Sequence, residues 1–407
     1  MTIENNYTWA PLIPLAGGFP IGIEQAWNKP PKIIASYKGI GNDAHYVNYQ
    51  QNILDRNIPF NEYDAEDLVF EQKINLIVCT PPCAALSSLN TSKNPEKQGH
   101  TGEQNNFMYD CVKTAASKFD ADVIMIENAP ALATNKGKLV ADKLYAIGKE
   151  LGYSLTLFKT STHFHGIPQR RDRTFACFFK SKGAVVLEYS KVPFTPLPEF
   201  LLTMQHNKVN DDTIVNKKLM DQDPYYAYLK YKYGDVRKLL IEAKQVTCLN
   251  YVKKHKLVDE VVEYTKLHGS DRHKHIMAHA VAKFEAGLGV WDASVHIFDD
   301  MINSVIGRNL NDTLHPTEDR SLTYLEALYL MGHPENYELL GGKKNSNHIA
   351  QNVPSCTAAY MGSQVLKYLD GELKTDTTSD YIKVDNWNNK IEKRNEDLSS
   401  NLENYLV

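Results

Sequence analysis

At 407 residues, with 43% hydrophobic and 23% charged residues, the chain is long enough for two domains and a sizeable core, and its composition is that of a soluble globular protein. A net charge of −4 excludes an overall basic surface, so a polyanionic partner has to meet a local basic face. Six cysteines (79, 83, 111, 177, 248 and 356) with no C-x-x-C pair do not make a disulfide framework and give no zinc signature, so no metal site is expected.

The amino terminus, MTIENNYTWAP, lacks the basic region and apolar run of a signal peptide, and no apolar stretch approaches the ~18 residues of a membrane span. Reduced thiols, a cytoplasmic location and no membrane partner are therefore expected. From residue 7 to 186, apolar runs alternate with helix-like runs. Trp9–Leu15 is apolar and leads to Gly17-Gly18, after which 19–27 reads as a helix. Residues 32–36 predict a strand and 44–54 a helix; 74–79 predicts a strand, 106–119 a helix and 121–126 a strand. A helix over 139–151 and a strand over 174–179 complete the set. This alternation predicts a mainly parallel sheet with helices on both faces.

Prolines at 193, 196 and 198 mark a change of composition. Residues 190–290 are helix-like and hold sixteen Lys or Arg against twelve Asp or Glu, a locally basic segment in an acidic chain. Tyr225, Tyr226, Tyr228, Tyr231 and Tyr233 with Lys230 and Lys232 could track a nucleic-acid backbone or form the core stripe of an amphipathic helix. Arg272 and Lys274, in Arg-His-Lys-His, are the better candidates for phosphate contact. Two helix-like runs follow over 320–342 and 346–369. The tail from 372 carries eight acids and five bases and reads as a surface helix or a disordered end.

Chemistry concentrates at the ends of the apolar runs. In TPPCAALSS (80–88), Pro81 and Pro82 fix the backbone after a strand and present Cys83 where open α/β sheets bind ligands. A free cysteine is more often a small buried hydrophobe, so Cys83 alone decides nothing. Glu127 follows the next strand and reaches the same edge, or caps a helix. Arg170, Arg171 and Arg173 are three cations in four residues, costly to bury without anionic partners.

In order and spacing, these stretches resemble the C5-cytosine DNA methyltransferase family, of bacterial or phage type. The family's D-L-F-x-G-x-G-G-F resembles Pro11 to Phe19, its G-P-P-C resembles Thr80 to Cys83, its E-N-V resembles Glu127 to Ala129, and its Q-x-R-x-R resembles Gln169 to Arg173. The late L-H-P-x-x-x-R-x-L-T run resembles Leu314 to Thr323, the G-F-P-D-x-Y turn resembles Gly332 to Tyr337, and G-N-A-V-P resembles Gln351 to Pro354. The likeness spans about 7–186 and 287–369, with a variable target recognition domain expected between.

The resemblance implies a Rossmann-like α/β methyltransferase domain over 1–189, a smaller and mainly helical recognition domain over 190–313, a return to the catalytic domain over 314–370 and a polar tail over 371–407. It implies S-adenosylmethionine as cofactor, double-stranded DNA as partner, a monomer, and a restriction enzyme as a candidate companion. Cys83 would add to C6 of a flipped cytosine, its thiolate favoured by nearby arginines, and Glu127 would protonate N3. Arg173 would meet O2, with Arg171 in support. Ala16, Gly17, Gly18, Phe19, Asp64, Pro81, Asn352 and Val353 would hold the cofactor, with Asn352 beside the opening turn. Ser87 and Gln169 would join Arg272 and Lys274 at DNA.

Three departures stand out. Pro11 and Leu15 replace the opening motif's Asp and first Gly, and no acid stands at Tyr37 for the cofactor ribose, which leaves Asp43, after the glycines of 39–41, as the nearest candidate. Ala84 replaces the usual Gln. The cofactor half is thus more altered than the catalytic half. The same chemistry on RNA or with a modified cofactor, and a DNA-binding protein without activity, are the other readings. Retention of Cys83, Glu127 and Arg173 together argues against the last.

Overall fold

The computed structural model describes residues 6–38, 43–63, 72–87, 90, 94–204, 219–288, 294–298, 300–305, 312–340 and 346–394. Contacts divide the chain into two units. The first is Met1–Phe194 with Met331–Leu340 and Gln351–Val407, and the second is Thr195–Leu330 with Gly341–Ala350. Residues 314–330 group with the second unit, whereas the sequence places the return to the first at 314.

The first unit is built on a nine-stranded sheet: β1 Trp9–Leu12, β2 Ile34–Tyr37, β3 Phe60–Tyr63, β4 Leu76–Cys79, β5 Val123–Asn128, β6 Ser154–Ser161, β7 Asp172–Phe179, β8 Tyr381–Asp385 and β9 Lys390–Lys393. Their spatial order is β9-β8-β6-β7-β5-β4-β1-β2-β3. All neighbours are parallel except β7, which runs antiparallel between β5 and β6, and β9, which is antiparallel to β8. β1, β2, β4 and β5 are buried at every position, because helices cover both faces.

The helices are α1 Gly18–Trp27, α2 Ala44–Asn48, α3 Asn106–Phe119, α4 Lys138–Glu150 and a late helix, Ser355–Leu369. Alternation sorts the sheet's side chains. Ile77, Cys79, Ile124 and Ile126 pack with Met108, Val112 and Leu144 of α3 and α4. Leu76, Val78, Val123 and Met125 pack on the other face with Phe19 and Ile23 of α1 and Met361 and Val365 of the late helix.

Three differences from the sequence reading have local causes. β6 is interior although five of its eight residues are polar: Ser154 and Thr156 are buried and donate their hydroxyls to the Phe179 and Val185 carbonyls. The helix expected over 44–54 leaves α geometry at Asn48 and continues as a wider turn, Tyr49–Ile53. The polar tail is neither helix nor loose end over 381–393. It adds β8 and β9 beyond β6, with Tyr381, Ile382 and Val384 buried.

The second unit is helical over Pro224–Tyr233, Val236–Glu242, Cys248–Lys254, Val258–His268 and Asp271–Glu285. Tyr225, Tyr226 and Tyr228 lie in its core, as a core stripe would, while Tyr231 and Tyr233 are exposed. No helix among the described residues is long and apolar enough to cross a membrane.

Candidate active site

Register fixes where the reactive side chains emerge. Cys79 pairs with Leu12 on one side and with Ile126 on the other, so the chain leaves β1, β4 and β5 at a common edge. Thr80-Pro81-Pro82 follows β4, and half-buried Cys83 packs against the core under α3 and α4. Glu127, the penultimate residue of β5, stands opposite Phe175 of β7. Because β7 is antiparallel, its beginning lies where β5 ends, and Arg171 and Arg173 arrive at Glu127 from the opposite direction. Arg173 Nε stands 2.6 Å from Glu127 Oε1. Arg171, buried to 1% exposure, donates through Nη2 to the Asn352 carbonyl at 2.7 Å.

The four groups form one electrostatic cluster. Burial pushes the Cys83 thiol above its ordinary pKa, the Glu127 carboxylate adds to that, and Arg173 and Arg171 pull against them without prevailing. The arginines favour the thiolate, as expected, but burial and Glu127 outweigh them. Burial also raises the Glu127 carboxyl pKa against the same arginines, which suits a group that must carry a proton. Arg171 is drawn down by burial and by Arg173, while Glu127 and Cys83 act the other way.

The opening turn keeps a glycine-like course without the glycine. Leu15 has φ of 52° and Ile13 of 61°, left-handed values that L-residues avoid. Side chains from other elements hold this turn. The Leu15 N–H donates to Asp43 Oδ1 at 3.1 Å, and the Ser36 hydroxyl donates to Asp43 Oδ2 at 2.5 Å. Tyr337 donates to the Ala16 carbonyl at 2.6 Å, with His333 Nε2 at 3.2 Å from the same oxygen. The Gly18 N–H donates to Asn352 Oδ1 at 2.9 Å, and a Cβ at Gly18 would overlap the Val353 carbonyl. Gly17 has φ of 89°, and a Cβ there would strike Tyr46.

Asp43 is therefore a clamp inside the fold, 3% exposed and with both carboxylate oxygens engaged by Leu15 and Ser36. Phe19 is buried edge-on against Phe175. Pro81 is buried and Ser87 half-buried. Gln169 is fully buried and donates to the Met331 sulfur at 3.5 Å, which corrects its assignment as a surface DNA contact. Arg272 and Lys274 are exposed on the helix Asp271–Glu285 of the second unit. Asp64 and residues 39–41 lie outside the described residues. Sequence reasoning missed His333 and Tyr337 as supports of the opening turn. Their place in the late turn motif was visible, but nothing in the sequence showed which backbone group they would reach.

A model of the family described as C-5 cytosine-specific DNA methylase matches residues 9–365. No curated protein matches the chain. Among the solved structures similar in fold are three methyltransferases. An E. coli protein described as a DNA modification methyltransferase encoded within a prophage is 14% identical, covers 90% of this chain and 100% of its own, and superposes with a TM-score of 0.56. The Entamoeba histolytica methyltransferase EhMeth is 11% identical over 90% of this chain and 99% of its own, at 0.55. The S. pombe Dnmt2 methyltransferase is 12% identical over 89% and 99%, at 0.51.

Proposed function

The chain belongs to the C-5 cytosine-specific DNA methylase family, and on that premise we propose that it methylates C5 of a flipped-out cytosine in double-stranded DNA through a covalent Cys83–C6 adduct. The observation that carries this is the convergence of Cys83, Glu127, Arg171 and Arg173 at one sheet edge, with Glu127 and Arg173 in contact at 2.6 Å. Cytosine C5 is a poor nucleophile. Cys83 loses its proton and its sulfur adds to C6; the displaced electron pair is taken up at N3, where protonated Glu127 gives its proton. Arg173, held on Glu127, would meet the negative charge that grows at O2, and C5 becomes enamine-like. Once C5 is substituted, solvent takes the C5 proton, the C5–C6 double bond re-forms as the Cys83 sulfur leaves, and N3 gives its proton back to Glu127.

S-adenosylmethionine, when bound, would supply the electrophilic methyl group. The residues fit it through the opening turn: Gly17 and Gly18 bring no side chain into a turn whose backbone is pinned from behind by Asp43, Tyr337 and Asn352. Ala16 to Phe19, Pro81, Asn352 and Val353 are the residues we assign to it, with Asp64 as the adenine partner. The second unit, basic over 190–290, is assigned to target recognition, with Arg272 and Lys274 at phosphates. A monomer in a reducing cytoplasm suits a free thiol nucleophile, and a companion restriction enzyme would share its site.

The test is covalent trapping. Wild type, Cys83→Ser and Glu127→Gln are incubated with S-adenosylmethionine and a random-sequence duplex library containing 5-fluorocytosine, whose fluorine blocks the final elimination. A denaturing gel should show a shifted band for wild type and none for Cys83→Ser. An unshifted wild-type band overturns the mechanism on DNA. A shift confined to a matching fluorinated RNA library moves the substrate to RNA.

A further inference from the structure

A ring cluster stands on the same sheet edge, outside both hydrophobic cores of the first unit. His163 and Phe164 follow β6, and Trp387 follows β8, which runs parallel to β6 with Asp385 opposite Lys159. Ring centroids lie 4.1 Å apart for His163–Phe164, 4.9 Å for both His163–Trp387 and Phe164–Trp387, and 6.2 Å for His163–Phe194. The exposed Arg170 guanidinium sits 5.2 Å from the Trp387 ring centre. Among the described residues no carboxylate pairs with Arg170.

The turn that presents Trp387 is stiff. Fully buried Asn386 donates from its backbone to the Lys159 carbonyl at 2.9 Å, and from its amide to the Ser190 carbonyl at 2.9 Å and to Thr160 Oγ1 at 3.1 Å. Asp385 Oδ1 accepts the Trp387 N–H at 2.9 Å. Thr160 in turn pairs across the sheet with Arg173. Trp387 thus stands two strands away from the arginine strand, ~10 Å at the usual strand spacing, about three stacked nucleotide steps of ~3.4 Å. A planar cation backed by aromatic rings is the surface on which single bases stack and phosphates are held. His163, Phe164 and Arg170 lie within residues 9–365, the range matched by the family model, and Trp387 lies beyond it.

We propose that Arg170, Trp387, His163 and Phe164 form a second nucleotide site, which stacks an unpaired base of the substrate strand a few nucleotides from the target cytosine and holds its phosphate. The inference rests on nucleic acid being the substrate.

The test uses the full chain and the fluorinated duplex library. Wild type, Arg170→Ala, Trp387→Ala and Trp387→Phe are titrated to the protein concentration giving half-maximal adduct. Loss of one stacked base should raise that concentration about five- to 150-fold in Arg170→Ala and Trp387→Ala. Trp387→Phe should stay within about threefold of wild type, since a smaller ring still stacks. Adduct formed at saturating protein should be unchanged in all of them, because none touches the reacting atoms. Thermal melts show whether Trp387→Ala is folded, and Arg170→Ala, on an exposed side chain, decides the matter if it is not. Trapping by Arg170→Ala at wild-type concentration overturns the second site and leaves the proposed function standing. A wild type that traps neither DNA nor RNA overturns both.

Discussion

The contact between Glu127 and Arg173 joins a carboxyl that must be protonated to a cation that favours the opposite state. Burial decides in favour of the proton. The proposed mechanism requires neutral Glu127 with ionised Cys83, although the thiol too has a raised pKa. Between the two pKa values the thiolate fraction grows with pH as the protonated carboxyl fraction falls, so wild-type adduct formation should be flat with pH there. Glu127→Gln removes the falling part. Its rate should lie ~10²–10³-fold lower, the usual cost of one such donor, and should climb about tenfold per pH unit below the thiol pKa. Single-turnover trapping across a pH series reads both effects; a flat profile in Glu127→Gln contradicts the assignment. Asp43 invites a different expectation. Asp43→Ala leaves the Leu15 N–H buried without its partner in a left-handed turn, which should cost ~1–3 kcal/mol of stability and weaken S-adenosylmethionine binding with it. A denaturant midpoint and calorimetry measure the two, and loss of affinity without loss of stability would return Asp43 to the ribose.

At the scale of elements, β8 and β9 extend the sheet past β6 and are tied to α4. Tyr145 donates to Asp380 at 2.7 Å and stacks on Tyr381 at 5.3 Å, while Arg394 lies over the Tyr145 ring. Truncation after residue 374 removes the buried side chains of Tyr381, Ile382 and Val384 and opens the edge of β6. At ~1.5–3 kcal/mol for each buried side chain, the destabilisation should reach ~5 kcal/mol, comparable with a typical domain's whole stability. Low soluble yield and a much reduced unfolding midpoint are expected, and a truncated chain as stable as wild type would contradict it. The central elements were legible because their apolar runs are short, unbroken and bounded by Gly or Pro. β3, as Phe-Asn-Glu-Tyr, carries only two apolar residues, as an edge strand can. The tail strands were illegible because their polar composition is that of a solvated segment, and only β6 gives them something to pair with.

Over the whole molecule, net charge and local charge point in opposite directions. A chain of net charge −4 carries its basic segment over 190–290, so salt dependence should localise there. Neutralising Arg272 and Lys274 together should lower the slope of log affinity against log salt by roughly one for each phosphate that no longer meets a cation; an unchanged slope places the phosphate-binding surface elsewhere. The candidate site itself was largely legible in its residue types. Cys83, Glu127, Arg171 and Arg173 each follow or begin an apolar run, and the order of the runs brings them to one edge. The supports of the opening turn were not legible. Asp43, Tyr337 and His333 act through single backbone atoms up to 321 residues away in the chain, and a spacing pattern does not encode that.

Asn352 joins the two halves of the site, its side chain on Gly18 and its carbonyl on Arg171. The first of these contacts spans 334 residues. On the ribosome, at ~5–20 residues per second, the opening turn is therefore made tens of seconds before the residue that fastens it. Throughout that interval the nascent chain carries its nucleophile without a finished pocket around it, and the apolar face of α1 waits for the late helix. The site as it stands in the folded protein is complete only once nearly all of the chain has been translated.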